Sequence, residues 1–194
     1  MTSKLIVNSL RHTGASADAI TMDASGNVTF PGNATCSGTA TGFGGGIQMA
    51  DQWSITTDNN KTNGQVIDTG WERSDYFFAQ IGTGMTESSG IFTFPSTGIY
   101  LLMSQHHMNT SASYCGVQMR VSSDSGGSYS TVSYGSITNT NNGYHHLSLH
   151  AVVDVQNAST YRFGLRAYNT ANVQYSGDSD SLRNGVTFIR LGDT

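Results

Sequence analysis

Apolar and polar positions alternate with a period close to two along most of the chain beyond residue 46. The alternation is clear in Gln52-Trp53-Ser54-Ile55-Thr56, Gly90-Ile91-Phe92-Thr93-Phe94, Tyr114 to Val121 and Tyr144 to Val155. None of these runs sustains a helical spacing, so each predicts a strand with one face toward a core and one toward water. Asp58-Asn59-Asn60, Asn63-Gly64, Ser125-Gly126-Gly127, Asn139 to Gly143 and Asn184-Gly185 separate them as turn signals. About nine or ten strands at such regular intervals predict an all-β sandwich or barrel. One strand breaks the alternation. Between Pro95, which ends the strand before it, and His106-His107-Met108, the stretch Ile99-Tyr100-Leu101-Leu102-Met103 is apolar at both parities. Both of its faces therefore require burial, one in the core and one against a neighbour. A subunit interface supplies the second burial most simply.

Residues 1–46 read differently. They hold only two of the 19 aromatic residues, Phe30 and Phe43, and four charged ones. Short strand-like runs, Ala19 to Asp23 and Asn27 to Phe30, are joined by Ala-Ser-Gly and followed by Pro31-Gly32-Asn33. Gly44-Gly45-Gly46 reads as a hinge, because three glycines pack nothing and are expensive to order. The segment has too few large side chains for its own core and is expected to order against another chain or a larger assembly. The division is thus an attachment arm, 1–46, and a body, 47–194.

Composition sharpens this picture. Charged residues make up 11% of the 194, whereas Ser, Thr, Asn and Gly supply 85, and only two are Lys. Residues that compete for local backbone hydrogen bonds dominate, which excludes long surface helices and coiled coils. A net charge of -4 with scattered basic residues gives no footprint for nucleic acid or a membrane surface. The longest apolar run, Ile99 to Met103, is far shorter than the roughly 20 residues of a spanning helix. The first 20 residues read as lacking a signal-peptide core. Cys36 and Cys115 have no partner at zinc spacing and read as isolated packed residues. The glycosylation patterns at Asn33, Asn60, Asn109 and Asn157 read as chance matches in a chain so rich in Asn, Ser and Thr.

The stretch Ser89-Gly90-Ile91-Phe92-Thr93-Phe94-Pro95-Ser96-Thr97-Gly98-Ile99-Tyr100 resembles the signature of the C1q and tumour-necrosis-factor-like jelly rolls. Gly90, Phe92, Pro95, Gly98 and Tyr100 are the shared positions. The closing run Asn184 to Gly192 is similar to that family's last buried strand. The resemblance covers the body from about residue 47. It implies a ten-stranded, two-sheet jelly-roll sandwich that forms a homotrimer about a threefold axis. The arm, from Ile20 to Thr35, resembles repeated amino-terminal segments of bacteriophage tail-fibre and other appendage proteins. With Met85 to Ser89 before the head motif, the combination is similar to structural proteins of marine phages that infect cyanobacteria.

Candidate chemistry is sparse. His106-His107 and His145-His146, with His150, form the one suggestive cluster. Adjacent residues on a strand face opposite ways, so neither pair chelates a metal by itself; a site would need cross-strand or threefold partners. Ser122 to Tyr129 approximates an Asp-box but reads as a hairpin turn in which Asp124 accepts amide hydrogen bonds while Gly126 and Gly127 take positive φ. Asp178 and Asp180 make an acidic loop, read as solvated rather than as a calcium site. No nucleophile elbow occurs, and Glu72 and Glu87 are the only glutamates available to a glycosidase. Trp71, Tyr129, Tyr134, Tyr144, Tyr168 and Tyr175 are candidates either for stacking on sugars or for filling the sandwich. No catalytic, metal or cofactor residue is expected.

The resulting expectation is a non-enzymatic virion protein made in the host cytoplasm. The arm would bind other virion proteins, and the trimeric head would adhere to a host-surface glycan or protein. Two alternatives stay open: a capsid decoration, cement or head-fibre protein that stabilises the shell, and a polysaccharide depolymerase head.

Overall fold

The computed structural model describes residues 6–32, 46–138 and 143–194. Cys36, Phe43, Asn33, the first two hinge glycines and most of the turn predicted at 139–143 lie outside these residues. The chain divides into two compact units between Gly45 and Gly46.

In the first unit, β1 (Ser9–Leu10), β2 (Ile20–Met22) and β3 (Val28–Thr29) form a small antiparallel meander. Asp23 closes its second turn, accepting the amides of Ser25 and Asn27, while Gly26 adopts φ 85°. None of the unit's described residues is buried. The hydrogen bonds of these residues are local, and among the described residues they form no core.

The described residues of the second unit form twelve strands in two sheets. These are β4 (Met49–Ile55), β5 (Asn59–Lys61), β6 (Trp71–Arg73), β7 (Thr86–Ser88), β8 (Ile91–Thr93), β9 (Gly98–Thr110), β10 (Tyr114–Ser122), β11 (Ser130–Thr138), β12 (Gly143–Val155), β13 (Arg162–Ala167), β14 (Val173–Tyr175) and β15 (Gly185–Gly192). One sheet has the order β11-β10-β13-β8-β7. The other runs β5-β14-β9-β15-β4-β6, with β12 paired along the free side of β9. All pairings are antiparallel, and the chain crosses repeatedly between sheets, as from β8 to β9 and from β9 to β10. The count exceeds ten because three-residue pieces such as β5 and β14 extend the rim beside β9.

The core lies between the sheets. Phe92 is at its centre, with the rings of Trp71 at 5.1 Å, Phe188 at 5.3 Å, Trp53 at 5.6 Å and Phe163 at 6.0 Å. The motif residues fall around this centre for separate reasons. Gly90 takes φ 78° in the turn between β7 and β8, where a Cβ would lie 2.3 Å from the Ile67 carbonyl oxygen. Gly98 takes φ 142° at the start of β9, and a Cβ there would strike Gly192 O and Arg190. Both positions admit only glycine without rearrangement. Tyr100 is fully buried against Phe94 and donates its hydroxyl proton to Ser96 O at 2.9 Å.

Beside this aromatic layer lies an ion pair between a buried aspartate and a half-buried arginine. Asp51 on β4 has no exposed surface, yet its Oδ1 accepts from Arg73 Nε at 2.9 Å and from the Gln52 amide at 3.0 Å. Its Oδ2 accepts from the Met85 amide at 2.7 Å, Trp53 Nε1 at 2.9 Å and Arg73 Nη2 at 3.2 Å. Arg73 also lies over the Trp53 ring and donates to Met85 O. The carboxylate thus ties β4, β6 and the segment entering β7, and both of its oxygens are fully engaged by donors.

Two turn expectations are corrected. In the turn after β10, positive φ falls on Ser125 and Gly126, whereas Gly127 is conventional. Asp124 makes the strained serine tolerable by fixing the turn through Ser122 Oγ, the Ser128 amide and Ser128 Oγ. Asn184 is not a surface turn residue. It is fully buried, donating to His107 O and Ser176 O and accepting the His107 amide, and so seals the junction of β9, β14 and β15.

Candidate functional site

The outward face of the larger sheet is built from three neighbouring strands. On β9, Tyr100, Leu102, His106 and Met108 point inward and are buried. Ile99, Leu101 and Met103 point outward, the first two half-buried and Met103 36% exposed. Strand register adds Val152 opposite Leu101 on β12 and Ile189 opposite Leu101 on β15. Val152 is 63% exposed. The stretch read as apolar at both parities therefore has one row in the core and one at the surface, where it joins a cross-strand apolar band. Below the band, an open groove of about 490 Å³ is lined by Met103, Gln105, Ser148, His150, Leu182 and Thr187 among others.

Histidines occupy the other end of the same face. His107 and His146 are direct cross-strand partners with ring centroids 4.6 Å apart, and Tyr144 stacks on His107 at 4.7 Å. Burial, the His146 ring and Arg183 hold His107 below its usual pKa. His150 also faces outward, four pairs along the ladder and opposite Met103. Among the described residues no three His, Cys, Asp or Glu side chains converge as metal ligands.

His106 faces the core and is wholly buried, bonded to Ser104 Oγ at 3.0 Å and Asn184 Oδ1 at 3.3 Å, with its ring edge toward Tyr175. Desolvation lowers its pKa from 6.5 to about 4. Between those values the unfolded chain binds a proton that the folded one does not. Stability from this group is complete above pH 6.5 and is lost as the pH falls toward 4, by at most about 1.4 kcal/mol per pH unit. Urea midpoints at pH 7.5 and 5 should show the loss, and His106→Gln should reduce it. Equal pH slopes in the two proteins would contradict the assignment.

The remaining candidates separate cleanly. Tyr175 is a core residue whose hydroxyl donates to Gly116 O at 2.8 Å. Trp71 packs on Phe92 and donates to Ile67 O. Tyr134 and Tyr144 are each 64% exposed, and Tyr129 and Tyr168 are half-buried. Asp124 is held far below the usual carboxylate range by the Ser122 and Ser128 hydroxyls and the Ser128 amide. Asp178 accepts the Asp180 amide and pairs with Arg183 at 2.7 Å, which commits the acidic loop to internal bonds. Glu72 lies in one sheet and Glu87 in the other, and Glu87 Oε1 accepts the Gly90 amide. Cys115 is buried, and burial pushes its thiol pKa up.

Sequence reasoning missed the loop tip at Tyr76-Phe77. Their rings meet edge to face at 4.7 Å, and Phe77 is 96% exposed at φ 51°. Three consecutive aromatics, Tyr76-Phe77-Phe78, outside any alternating run were the available signal.

Comparison with solved structures fits this arrangement. Eiger TNF from S. frugiperda superposes with a TM-score of 0.60 at 14% identity, covering 76% of this chain and 95% of that one. Murine APRIL at pH 5.0 gives 0.54 at 15% identity, covering 74% and 98%. The body is a TNF-like jelly roll. This jelly roll closes with β15 between β9 and β4, and its second sheet is headed by the β10–β11 hairpin. No protein-family model matches the sequence, and no curated protein is similar to it.

Proposed function

We propose that the chain is a homotrimeric bacteriophage virion appendage whose jelly-roll head adheres to the host surface. The observation that carries the assembly is the outward apolar band of Ile99, Leu101, Met103, Val152 and Ile189 on a surface otherwise rich in Ser, Thr and Asn. Such a band belongs against a second protein surface, and a threefold arrangement presents it to identical copies. The amino-terminal unit supports the attachment role, since it buries none of its described residues and gains order by docking on other virion proteins. Trimerisation gives a weak glycan or protein site on each head threefold avidity.

The test uses labelled full-length chain on host cells, together with its position on the particle. Saturable cell binding and density at the tail are expected. Many copies spread over the capsid shell would overturn adhesion in favour of shell stabilisation. Release of reducing ends from host envelope polysaccharide would instead make the head a depolymerase.

A further inference from the structure

Eight Lys and Arg side chains lie among the described residues. Five of them pair with an aspartate: Arg11 with Asp18, Lys61 with Asp68, Arg73 with Asp51, Arg183 with Asp178 and Arg190 with Asp193. The three that have no carboxylate partner among the described residues are Arg120, Arg162 and Arg166, and all three share the outward face of the smaller sheet. Register brings them together. Arg120 on β10 lies opposite Gly164 on β13, while Arg166 and Arg162 stand two residues to either side of that glycine, opposite Gln118 and Ser122. Three positive charges gathered on one face of a chain of net charge -4 are unfavourable unless something negative joins them.

The local bonds orient these side chains without neutralising them. Arg120 Nη2 donates to Tyr129 O at 2.7 Å, and its guanidinium lies 5.2 Å from the Tyr129 ring centre. Its Nε is buried with no hydrogen-bond partner, a costly state for a charged donor. Arg166 Nε donates to Gln118 Oε1 at 2.9 Å, which leaves its terminal nitrogens free of protein acceptors among the described residues. Arg162 reaches the carbonyls of Tyr161 and Ser159. Because Gly164 has no side chain, a depression of about 30 Å³ opens between Arg120, Arg166, Tyr129, Ile91 and Val66. Asp124 is the nearby carboxylate, and its oxygens are occupied by Ser122 and Ser128.

Aromatic rings adjoin the charges on the same face. Tyr134 on β11 is opposite Gln118, so Tyr134, Gln118 and Arg166 form one row across three strands. Tyr168 follows Arg166 by two residues, with the Tyr114 ring at 5.2 Å and the Tyr134 ring at 6.0 Å. Planar guanidinium groups suit oxyanions, and exposed tyrosine faces suit sugar rings. We infer that Arg120 and Arg166, flanked by Arg162 and the Tyr114, Tyr134 and Tyr168 cluster, form a binding site for an acidic saccharide held by its sulfate or carboxylate group. This deepens the adhesion reading above and rests on it.

Full-length chain is titrated by calorimetry with dextran sulfate oligosaccharide, oligogalacturonate and neutral dextran of equal length, and with an oligoglutamate peptide. Binding to one or both acidic saccharides is expected, sulfate ester or uronic carboxylate being distinguished by the first two. Neutral dextran should not bind. Arg166→Gln and Arg120→Gln should each weaken binding tenfold or more, whereas Arg183→Gln, which removes the same charge from an existing ion pair, should not. Tyr134→Ala, at an exposed position that folding does not require, should weaken saccharide binding and leave competition by inorganic sulfate unchanged. Undiminished binding in Arg166→Gln and Arg120→Gln overturns the site, and oligoglutamate binding as tightly as saccharide overturns the saccharide assignment. Host-cell adhesion by Arg166→Gln equal to the parent overturns the site and leaves adhesion standing. Acidic-saccharide binding by a parent chain that does not adhere to cells overturns adhesion and leaves the site.

Discussion

Asp51→Ala is expected to lower the unfolding free energy by about 3 kcal/mol, because a buried donor left without its acceptor costs roughly 1–3 kcal/mol and this carboxylate serves several. Five donor contacts converge on this carboxylate, from Arg73 Nε and Nη2, Trp53 Nε1, and the Gln52 and Met85 amides. Alanine leaves Trp53 Nε1 and the Gln52 and Met85 amides without this acceptor, while Arg73 keeps Met85 O and its exposed side, and the loss falls on the folded state because water satisfies the same groups when the chain unfolds. Asp51→Asn keeps the shape and removes the charge, and should lie between parent and alanine variant. Urea denaturation with an unchanged m-value measures the difference. A loss below about 1 kcal/mol would show that the network is dispensable, as for an exposed pair.

The second large effect concerns assembly. Leu101→Glu combined with Val152→Glu places two carboxylates in the middle of the outward apolar band, on directly paired residues. In the proposed homotrimer, symmetry repeats that pair in every copy, and burying unpaired charge opposes association by several kcal/mol per group. Light scattering should report the mass of three chains for the parent and of one for the variant. Circular dichroism should be unchanged, since both side chains point away from the core. A parent that is already a monomer removes the assembly reading, and a variant that still forms trimers moves the interface to another face.

Strands whose outer face meets water were the most legible from the sequence. β10 and β12 alternate because only one side of each is buried, and their ranges lie within a residue of the expected ones. Parity also decides which histidine is internal: Tyr100 and Leu102 fix the inward row, and His106 continues it four residues on. The short strands β5 and β14 were illegible, since Asn59-Asn60-Lys61 and Val173-Gln174-Tyr175 owe their conformation to pairing beside β9 rather than to any pattern of their own. The Asp51–Arg73 pair was hidden for a related reason. Nothing local marks an aspartate for burial when its partners come from three separate segments. The arginine face is illegible in the sequence because Arg120, Arg162 and Arg166 are scattered along the chain and meet only through the register of β10 with β13. The tyrosines were visible as candidates, but their division between core and surface depended on strand direction, as the contrast between Tyr175 and Tyr134 makes plain.

The place of β15 governs how the body can be made. It is the last strand of the jelly roll to leave the ribosome, yet it is inserted at the middle of the larger sheet, between β9 and β4. Until it arrives, β9 and β4 have no shared partner, Phe188 is missing from the ring cluster around Phe92, and the facing edges of both strands wait unpaired. Closure therefore depends on pairings distant in sequence and comes late, which makes folding slow and the nascent chain prone to aggregate. A premature stop before Gly185 would remove the centre of the sheet rather than its edge, so translation errors near the end of the head should yield insoluble chains instead of shortened, working ones.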